Sequence, residues 1–131
     1  MGCTRSSLGR RLLTRVKDVM RTENLPYLGP DMLFDEVVSV ISSGFLGIGI
    51  MLENDKVKGV ITDGDIRRAL QNEKEKALSL KARDFLTTGP LTIDAEEKII
   101  KATELMQEKK ITALLVTENE KFRGVLHLYD L

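Results

Sequence analysis

The chain has 131 residues, which is enough for one compact domain or for two small units that share a core. Twenty basic and twenty acidic residues cancel, so charge gives no general attraction to nucleic acid or to an anionic membrane, and neither is expected as a partner. A local basic cluster at the N-terminus is interpreted as a solvated helix face: Arg5, Arg10, Arg11, Arg15 and Lys17.

Cysteine usage and hydropathy indicate a cytoplasmic protein. The one cysteine, Cys3, cannot form a disulfide within the chain, which fits a reducing compartment. The longest apolar run, from Phe45 to Leu52, is eight residues, whereas a transmembrane helix needs roughly 20. The start of the chain lacks the hydrophobic core of an export signal.

An internal repeat is the strongest feature of the sequence. Residues 53–66 align with residues 118–131 at an offset of 65, and six of the fourteen positions are identical. Upstream the offset becomes 66, where Val16–Met20 lies over Ala82–Leu86. The alignment keeps its order through a helix, two strands and a turn, so it predicts two copies of one unit of about 65 residues.

Each copy opens with a short helical segment, predicted at Val16–Met20 and at Ala82–Leu86. A proline-marked extended stretch follows, at Pro26–Leu28 and at Pro90–Ile93. Asp94 is predicted to be the N-cap of the next helix in the second copy. That helix is amphipathic, because the residues of its buried face, most of them apolar, recur at helical spacing. They are Phe34, Val37, Val38 and Ile41 in the first copy and Ile99, Ala102, Thr103, Leu105 and Met106 in the second.

Two strands then form a hairpin in each copy. The predicted strands are Gly47–Glu53 with Val57–Thr62, and Ala113–Thr117 with Phe122–Leu126. A last helix is predicted at Ile66–Leu70, ended by the polar residues 71–76, and the second copy stops where this helix would begin. The pattern predicts an α+β fold of two β-α-β-β-α units, stacked through their sheets because one unit cannot bury its own sheet.

The junction between the second strand and the last helix is the place where chemistry is expected. Gly59 lets another group approach the backbone closely, while Thr62 and Asp65 could grip the cis-diol of a ribose. Arg67 and Arg68 lie one turn further and could reach a phosphate. The alternative is structural: a strand-end threonine, an aspartate N-cap and two solvated arginines.

The second copy keeps the aspartate, Asp130, but has His127 where the first copy has Thr62. His127 could donate to a ligand hydroxyl or phosphate, which would make binding pH-sensitive, or it could be a hydrogen-bonded structural residue. No catalytic residue, metal site or required cofactor is predicted, because one cysteine and one histidine cannot build the usual zinc site.

With Gly-x-x-Thr-x-x-Asp at residues 59–65, the doubled unit resembles a CBS domain pair, also called a Bateman module. The resemblance implies two units packed about a pseudo-twofold axis, with a cleft for AMP, ATP or related ligands. It implies that Thr62 and Asp65 hold ribose at one site, and that Asp130 with His127 marks the other. It also implies a homodimer formed through the CBS pairs.

A narrower resemblance rests on Ser7–Leu13 and on Thr62–Leu70, which are similar to the C-terminal part of bacterial D-arabinose-5-phosphate isomerases. In that family a sugar isomerase (SIS) domain precedes the CBS pair and carries the chemistry, which supplies the precursor of Kdo for lipopolysaccharide or capsule. The boundaries implied are a linker at 1–15, the first CBS motif at 16–78 and the second, with a truncated C-terminal helix, at 79–131.

The resemblance implies a regulatory module rather than an enzyme. It would bind an adenine, CMP-type or other nucleotide, or a nucleotide-sugar, and modulate an isomerase domain of the same polypeptide, whose full-length form could be a tetramer. The alternative is a structural dimerisation module that binds no ligand. Loss of ligand binding without change of oligomeric state in a Thr62→Ala/Asp65→Ala variant would favour the first hypothesis.

Overall fold

The structure is a computed structural model that describes residues 13–131. Cys3, the arginines at positions 5, 10 and 11, and most of the predicted join at 7–13 therefore lie outside the described residues. The described chain divides into two units by its internal contacts. Unit 1 contains residues 13–23 and 91–131, and unit 2 contains residues 24–90.

Unit 2 is built from two helices and one hairpin. Helix α2 (Phe34–Gly44) precedes the antiparallel strands β1 (Ile48–Glu53) and β2 (Lys56–Thr62), and helix α3 (Asp63–Glu73) follows without a loop. Two 3₁₀ turns, at Lys74–Ser79 and Ala82–Asp84, complete this part of the chain.

Unit 1 has a three-stranded sheet in the order β3-β4-β5. Strand β3 (Thr92–Asp94) pairs in parallel with β4 (Ala113–Glu118), and β4 pairs in antiparallel with β5 (Lys121–His127). Helix α4 (Ile99–Lys109) connects β3 to β4, and the short helix α1 (Val16–Val19) packs in the same unit. A 3₁₀ turn at Leu128–Asp130 follows β5.

Both predicted hairpins are present, with the same turn in each. Asn54 and Asp55 have φ angles of 54° and 66°, and Asn119 and Glu120 have φ angles of 54° and 67°. Two successive residues with positive φ match the twist of the flanking strands. The turn therefore fixes the register of both hairpins.

The opening segments of the two copies (residues 16–21 and 82–87) do not pack with the copy to which they belong in sequence. Val16 is buried in the core of unit 1, among side chains from β3, α4, β4 and β5. Ala82 is buried in the core of unit 2 with Val37 and Ile61. The compact units therefore differ from the sequence repeats, because each unit takes its opening segment from the other copy.

The backbone contacts of the opening segments are also equivalent. The N–H groups of Val16 and Lys17 donate to the carbonyls of Glu97 and Ala95, at 2.8 and 2.9 Å. The N–H groups of Ala82 and Arg83 donate to Met32 and Pro30, at 2.8 and 3.2 Å. These acceptors are related by the same offset of 65 that relates the two copies.

Several element boundaries differ from the sequence-based predictions. Helix α3 begins at Asp63, ahead of Asp65, and runs through the polar residues to Glu73, because Thr62 rather than an aspartate is its N-cap. Asp94 is not the N-cap of α4, which begins at Ile99. Instead, Asp94 Oδ1 accepts the N–H of Glu96 at 2.8 Å in the turn after β3.

The stretch at 26–28 is also shorter in structure than predicted. It forms one parallel bridge, Tyr27 with Ile50, rather than a strand. The mixed helix-and-strand character predicted from the sequence is confirmed. Among residues 13–131, no helix combines the length and the apolar character that crossing a bilayer requires.

Candidate functional site

The end of β2 and the start of α3 form a reciprocal helix cap. Thr62 has an extended backbone (φ −105°, ψ 170°), and its Oγ1 accepts the N–H of Asp65 at 3.2 Å. Asp65 Oδ2 in turn accepts the N–H of Thr62 at 2.9 Å. The spacing Thr-x-x-Asp therefore satisfies two helix-terminal N–H groups and fixes the orientation of the Asp65 carboxylate.

The Asp65 carboxylate is buried and has four donors. Besides the Thr62 N–H, Oδ2 accepts the Thr62 hydroxyl at 3.2 Å. Its other oxygen, Oδ1, accepts Arg68 Nη2 at 2.5 Å and the hydroxyl of Thr87 at 3.0 Å. Asp65 is only 8% exposed, and a buried carboxylate is stable when it is both paired and hydrogen-bonded. We call Thr62, Asp65, Arg68 and Thr87 the Asp65 site.

Gly59 is the residue that brings Thr87 to the Asp65 site. Val60 N–H donates to the Thr87 carbonyl at 2.9 Å, and Thr87 N–H donates to the Val60 carbonyl at 2.8 Å. A Cβ atom at Gly59 would lie 2.6 Å from Leu86 Cγ and 2.7 Å from the Thr87 carbonyl oxygen. The group that approaches this glycine is therefore the opening segment of the second copy.

Thr87 was missed by the sequence analysis, although a signal for it exists. The alignment at offset 66 extends one residue past Leu86 and places Thr87 over Arg21. The sequence does not show that these two residues reach Asp65 and Asp130, since that contact depends on where the opening segment packs.

The two arginines of α3 have different surroundings. Arg68 contacts Asp65, while its side chain stays 64% exposed. Arg67 is exposed one residue earlier on the helix and is not brought into the Asp65 site. Arg68 therefore has the geometry for exchange between a carboxylate and a ligand, and Arg67 does not contact the same group.

An open groove of about 340 Å³ runs from the Asp65 site along α3 within unit 2. Its lining residues are Asp65, Arg68, Ala69, Asn72, Glu73, Leu80, Asp84 and Phe85. The volume lies at the low end of the range for small-molecule sites. Arg68 is the one cation among these lining residues, so it is the group that can meet a phosphate there.

The corresponding position in unit 1 has a different set of contacts. Asp130 accepts Arg21 Nε at Oδ2 (2.8 Å) and Arg21 Nη2 at Oδ1 (2.9 Å), which is a bidentate ion pair. The His127 N–H lies 3.4 Å from Asp130 Oδ2. His127 Nδ1 accepts the N–H of Tyr129 at 3.1 Å, and the two rings are 4.8 Å apart. We call Arg21, His127 and Asp130 the Asp130 site.

Electrostatics at the Asp130 site favour a neutral histidine beside a charged pair. Burial lowers the pKa of His127, the positive charge of Arg21 lowers it further, and Asp130 partly opposes both effects. The hydrogen bonds from Arg21 lower the pKa of Asp130 against the effect of burial. Asp130 raises the pKa of Arg21 through the same hydrogen bonds. His127 therefore acts as a neutral acceptor at Nδ1 in this arrangement.

The structure thus places the predicted ligand-binding residues in two separate groups. Thr62, Asp65 and Arg68 lie together in unit 2, and His127 with Asp130 lies in unit 1. Gly59 supports Thr87 through the backbone. Whether these groups bind a ligand stays a prediction.

Comparison with known proteins identifies relatives that are longer than this chain. It is 45% identical over 114 residues to a probable arabinose 5-phosphate isomerase of Haemophilus influenzae, which covers 87% of this chain and 34% of the relative. It is 40% identical over 127 residues to the arabinose 5-phosphate isomerase KpsF of Escherichia coli, which covers 95% of this chain and 38% of that enzyme. The chain therefore spans little more than a third of the length of these relatives.

Solved structures show the same fold. A CBS domain protein of Pyrobaculum aerophilum complexed with AMP superposes with a TM-score of 0.75 at 20% identity, over 90% of each chain. The sequence profile of the CBS domain matches this chain twice, at residues 16–72 and at residues 82–131. Since the two matches cover most of the sequence and follow its internal repeat, the chain belongs to the CBS domain family, as a CBS domain pair.

Proposed function

We propose that this chain is a ligand-sensing regulatory module that binds a nucleotide or nucleotide-sugar through the Asp65 site. The observation that carries the proposal is the buried Asp65 carboxylate, which is fixed by the helix cap and flanked by the hydroxyls of Thr62 and Thr87. A carboxylate beside hydroxyl groups can accept hydrogen bonds from both hydroxyls of a ribose. Arg68 supplies a positive charge for a phosphate.

The likeness to known proteins supports the same proposal. The P. aerophilum protein, which has this fold, was solved with AMP. The H. influenzae and E. coli relatives are named as arabinose 5-phosphate isomerases. We therefore assign the chain to the regulatory region of such an isomerase, with a SIS catalytic domain in the same polypeptide. The parent enzyme would act in the cytoplasm, supply Kdo for lipopolysaccharide or capsule, and form a dimer or tetramer through its CBS pairs.

Regulation requires that the ligand bind two states of the parent enzyme with different affinity. The Asp65 site offers a structural reason for such a difference. Its donors come from β2, α3 and the opening segment 82–87, so a ligand that replaces one donor changes how these three elements are connected.

The first experiment measures thermal unfolding of this chain with AMP, ADP, ATP, CMP and CMP-Kdo. A ligand that binds only the folded state, present at 100 times its dissociation constant, adds about 2.7 kcal/mol of stability. We expect a rise in melting temperature with at least one of these nucleotides. Isothermal titration of that nucleotide then gives its affinity.

A matched pair of variants tests the site. Asp65→Asn and Asp63→Asn each remove one negative charge from the first turn of α3, but only Asp65 belongs to the site. We expect Asp65→Asn to abolish the ligand-induced shift and Asp63→Asn to keep it. Equal loss in both variants would show that the effect is general to charge removal at the start of α3 and is not specific to Asp65.

A structural dimerisation module is the second candidate, and one observation favours it. Asp65 already accepts four donors from its own unit, as a purely structural carboxylate would. This candidate predicts no shift with any of the five nucleotides at millimolar concentration and an unchanged oligomeric state in Thr62→Ala/Asp65→Ala. A shift that Asp65→Asn removes excludes it.

A further inference from the structure

The Asp65 and Asp130 sites occupy the same position of the repeat. Each aspartate lies three residues after the last residue of its strand, Thr62 in β2 and His127 in β5. In each site the N–H of that strand residue points to Oδ2 of the aspartate, at 2.9 Å for Asp65 and 3.4 Å for Asp130. The difference between the sites therefore comes from the other groups that reach the carboxylate.

The opening segments deliver those groups from equivalent backbone positions. Arg21 forms two hydrogen bonds with Val125, of 2.8 and 3.0 Å, as Thr87 does with Val60. The glycine before each valine allows this approach: a Cβ at Gly124 would lie 2.4 Å from the Arg21 carbonyl oxygen. Arg21 and Thr87 are thus the same structural position with different side chains.

At the Asp65 site the donors can be exchanged. The side chain of Arg68 is 64% exposed and gives Asp65 Oδ1 one hydrogen bond from the solvent side of α3. A threonine hydroxyl both donates and accepts, so Thr62 and Thr87 can turn to accept from a ligand. A ribose can therefore replace Arg68 without leaving the carboxylate unpaired.

At the Asp130 site the donor is fixed. Arg21 binds both oxygens of the Asp130 carboxylate. Its backbone N–H and C=O are both hydrogen-bonded to Val125. Guanidinium groups only donate hydrogen bonds, so Arg21 cannot accept a hydroxyl of a ligand. Separating this pair would leave Asp130, whose side chain is 19% exposed, with the His127 N–H at 3.4 Å, whereas Asp65 keeps three donors when Arg68 leaves.

The geometry points to one nucleotide per chain, bound at the Asp65 site, with Arg21 as the residue that closes the Asp130 site. This inference rests on the proposed function. It makes Arg21 and Thr87 the residues that determine the number of ligands. Neither residue is needed for the backbone bridge itself, since that bridge uses only N–H and C=O groups.

Isothermal titration with AMP tests this inference through the number of molecules bound per chain. We expect one for the wild-type chain and one for Asp130→Asn. Arg21→Thr, which gives the Asp130 site the side chain of its counterpart, should raise the number to two. The reverse exchange, Thr87→Arg, should reduce it to zero. AMP is the probe because it is the ligand of the P. aerophilum structure; CMP is titrated in parallel.

Controls separate closure of the site from loss of folding. Arg21→Lys keeps the charge and should still bind one AMP, and the double variant Arg21→Thr/Asp130→Asn should return from two to one. Melting curves of each variant without ligand confirm that it is folded. A structural role of Arg21 alone would change the melting temperature but not the stoichiometry.

The outcomes distinguish this inference from the proposed function. A wild-type chain that binds two AMP or CMP molecules, or an Arg21→Thr chain that is folded and still binds one, overturns the inference alone. Loss of the single bound molecule in Asp130→Asn but not in Asp65→Asn overturns both, because the nucleotide would then be bound at the Asp130 site. A wild-type chain that binds none of the five nucleotides of the thermal-unfolding screen overturns the proposed function and this inference with it.

Discussion

The opening segments of unit 1 and unit 2 pack through equivalent backbone contacts but carry different side chains. In unit 1 the opening segment forms a four-residue helix, buries Val16 and ends at an arginine that pairs with Asp130. In unit 2 it forms a 3₁₀ turn, buries the smaller Ala82 and ends at a threonine. The backbone bridges to Val125 and Val60 are equivalent. In both units, therefore, a glycine and a backbone bridge determine where the opening segment packs. The side chain at the end of that segment can differ without changing the fold.

The largest expected effect comes from removing the space that both bridges need. Gly124→Ala would place a Cβ 2.4 Å from the Arg21 carbonyl oxygen, and Gly59→Ala would place one 2.7 Å from that of Thr87. Overpacking of this kind costs about 1–3 kcal/mol. Urea unfolding should show both losses, with Gly124→Ala the greater because its nearest neighbours are backbone atoms while Leu86 at Gly59 can partly move.

Gly29→Ala is the matched control, since a Cβ at Gly29 has no heavy atom within 4 Å. This variant should unfold within about 0.5 kcal/mol of the wild type, as surface substitutions usually do. Equal stability of Gly124→Ala and Gly29→Ala would contradict the close approach of the opening segment.

The sequence predicts what is local in this architecture. The internal repeat and the polar turns predicted both hairpins, and helical spacing of apolar residues predicted α2 and α4. The Thr-x-x-Asp spacing predicted a site at the β2–α3 junction, where the cap brings Thr62 and Asp65 together. Each of these features depends on residues that are close in the chain.

The exchange of opening segments could not be predicted in the same way. Val16 and Ala82 are apolar and aligned, so either could fill the core of either unit as far as the sequence shows. Arg21 and Thr87 reach the two aspartates only through that exchange, with sequence separations of 109 and 22 residues. Contacts of this kind are tertiary, so residue spacing carries no information about them.

Removing each carboxylate tests the difference between the two sites. Asp65→Ala leaves the Thr62 N–H and two hydroxyls without their acceptor near a buried position, which costs about 1–3 kcal/mol. Asp130→Ala should cost about 1 kcal/mol or less, because the Arg21 side chain is 42% exposed and its guanidinium group stays hydrated when the carboxylate is removed. Urea unfolding of both variants measures the difference; a larger loss for Asp130→Ala would reverse the comparison.

The histidine of the Asp130 site should make stability depend on pH. Because burial and Arg21 lower the pKa of folded His127 below its ordinary value of 6.5, the unfolded chain takes up a proton first as the pH falls. The contribution of neutral His127 to the free energy of unfolding is therefore fully present above pH 6.5, and it is lost as the pH falls toward the pKa of His127 in the folded chain. We expect the free energy of unfolding to decrease between pH 7.5 and pH 5.5.

His127→Asn isolates this effect, since His127 is the one histidine of the chain and the asparagine Oδ1 takes the place of Nδ1 as acceptor of the Tyr129 N–H. In this variant the free energy of unfolding should change less between pH 7.5 and pH 5.5 than in the wild type. The lowered pKa of Asp130 also makes the folded chain less stable as the pH falls. This loss occurs at more acidic pH, where protonation of Asp130 removes its pairing with Arg21. An unchanged dependence of the unfolding free energy on pH in His127→Asn would show that His127 is not the titrating group.

The smallest effect on stability is expected at Arg68. Its pair with Asp65 joins positions i and i+3 of α3, the Arg68 side chain is 64% exposed, and the buried carboxylate keeps three other donors, so Arg68→Ala should cost about 0–1 kcal/mol. Arg67→Ala, on the neighbouring exposed position, is the control for lost helical charge. Ligand binding gives a second test of Arg68. If Arg68 leaves Asp65 and pairs with the phosphate of the ligand, Arg68→Ala weakens binding of AMP and leaves binding of adenosine unchanged or stronger. Arg67→Ala should leave the ratio of the two affinities unchanged, because the structure does not bring Arg67 into the Asp65 site. An equal loss for AMP and adenosine in Arg68→Ala would mean that Arg68 orients the carboxylate rather than reads the phosphate.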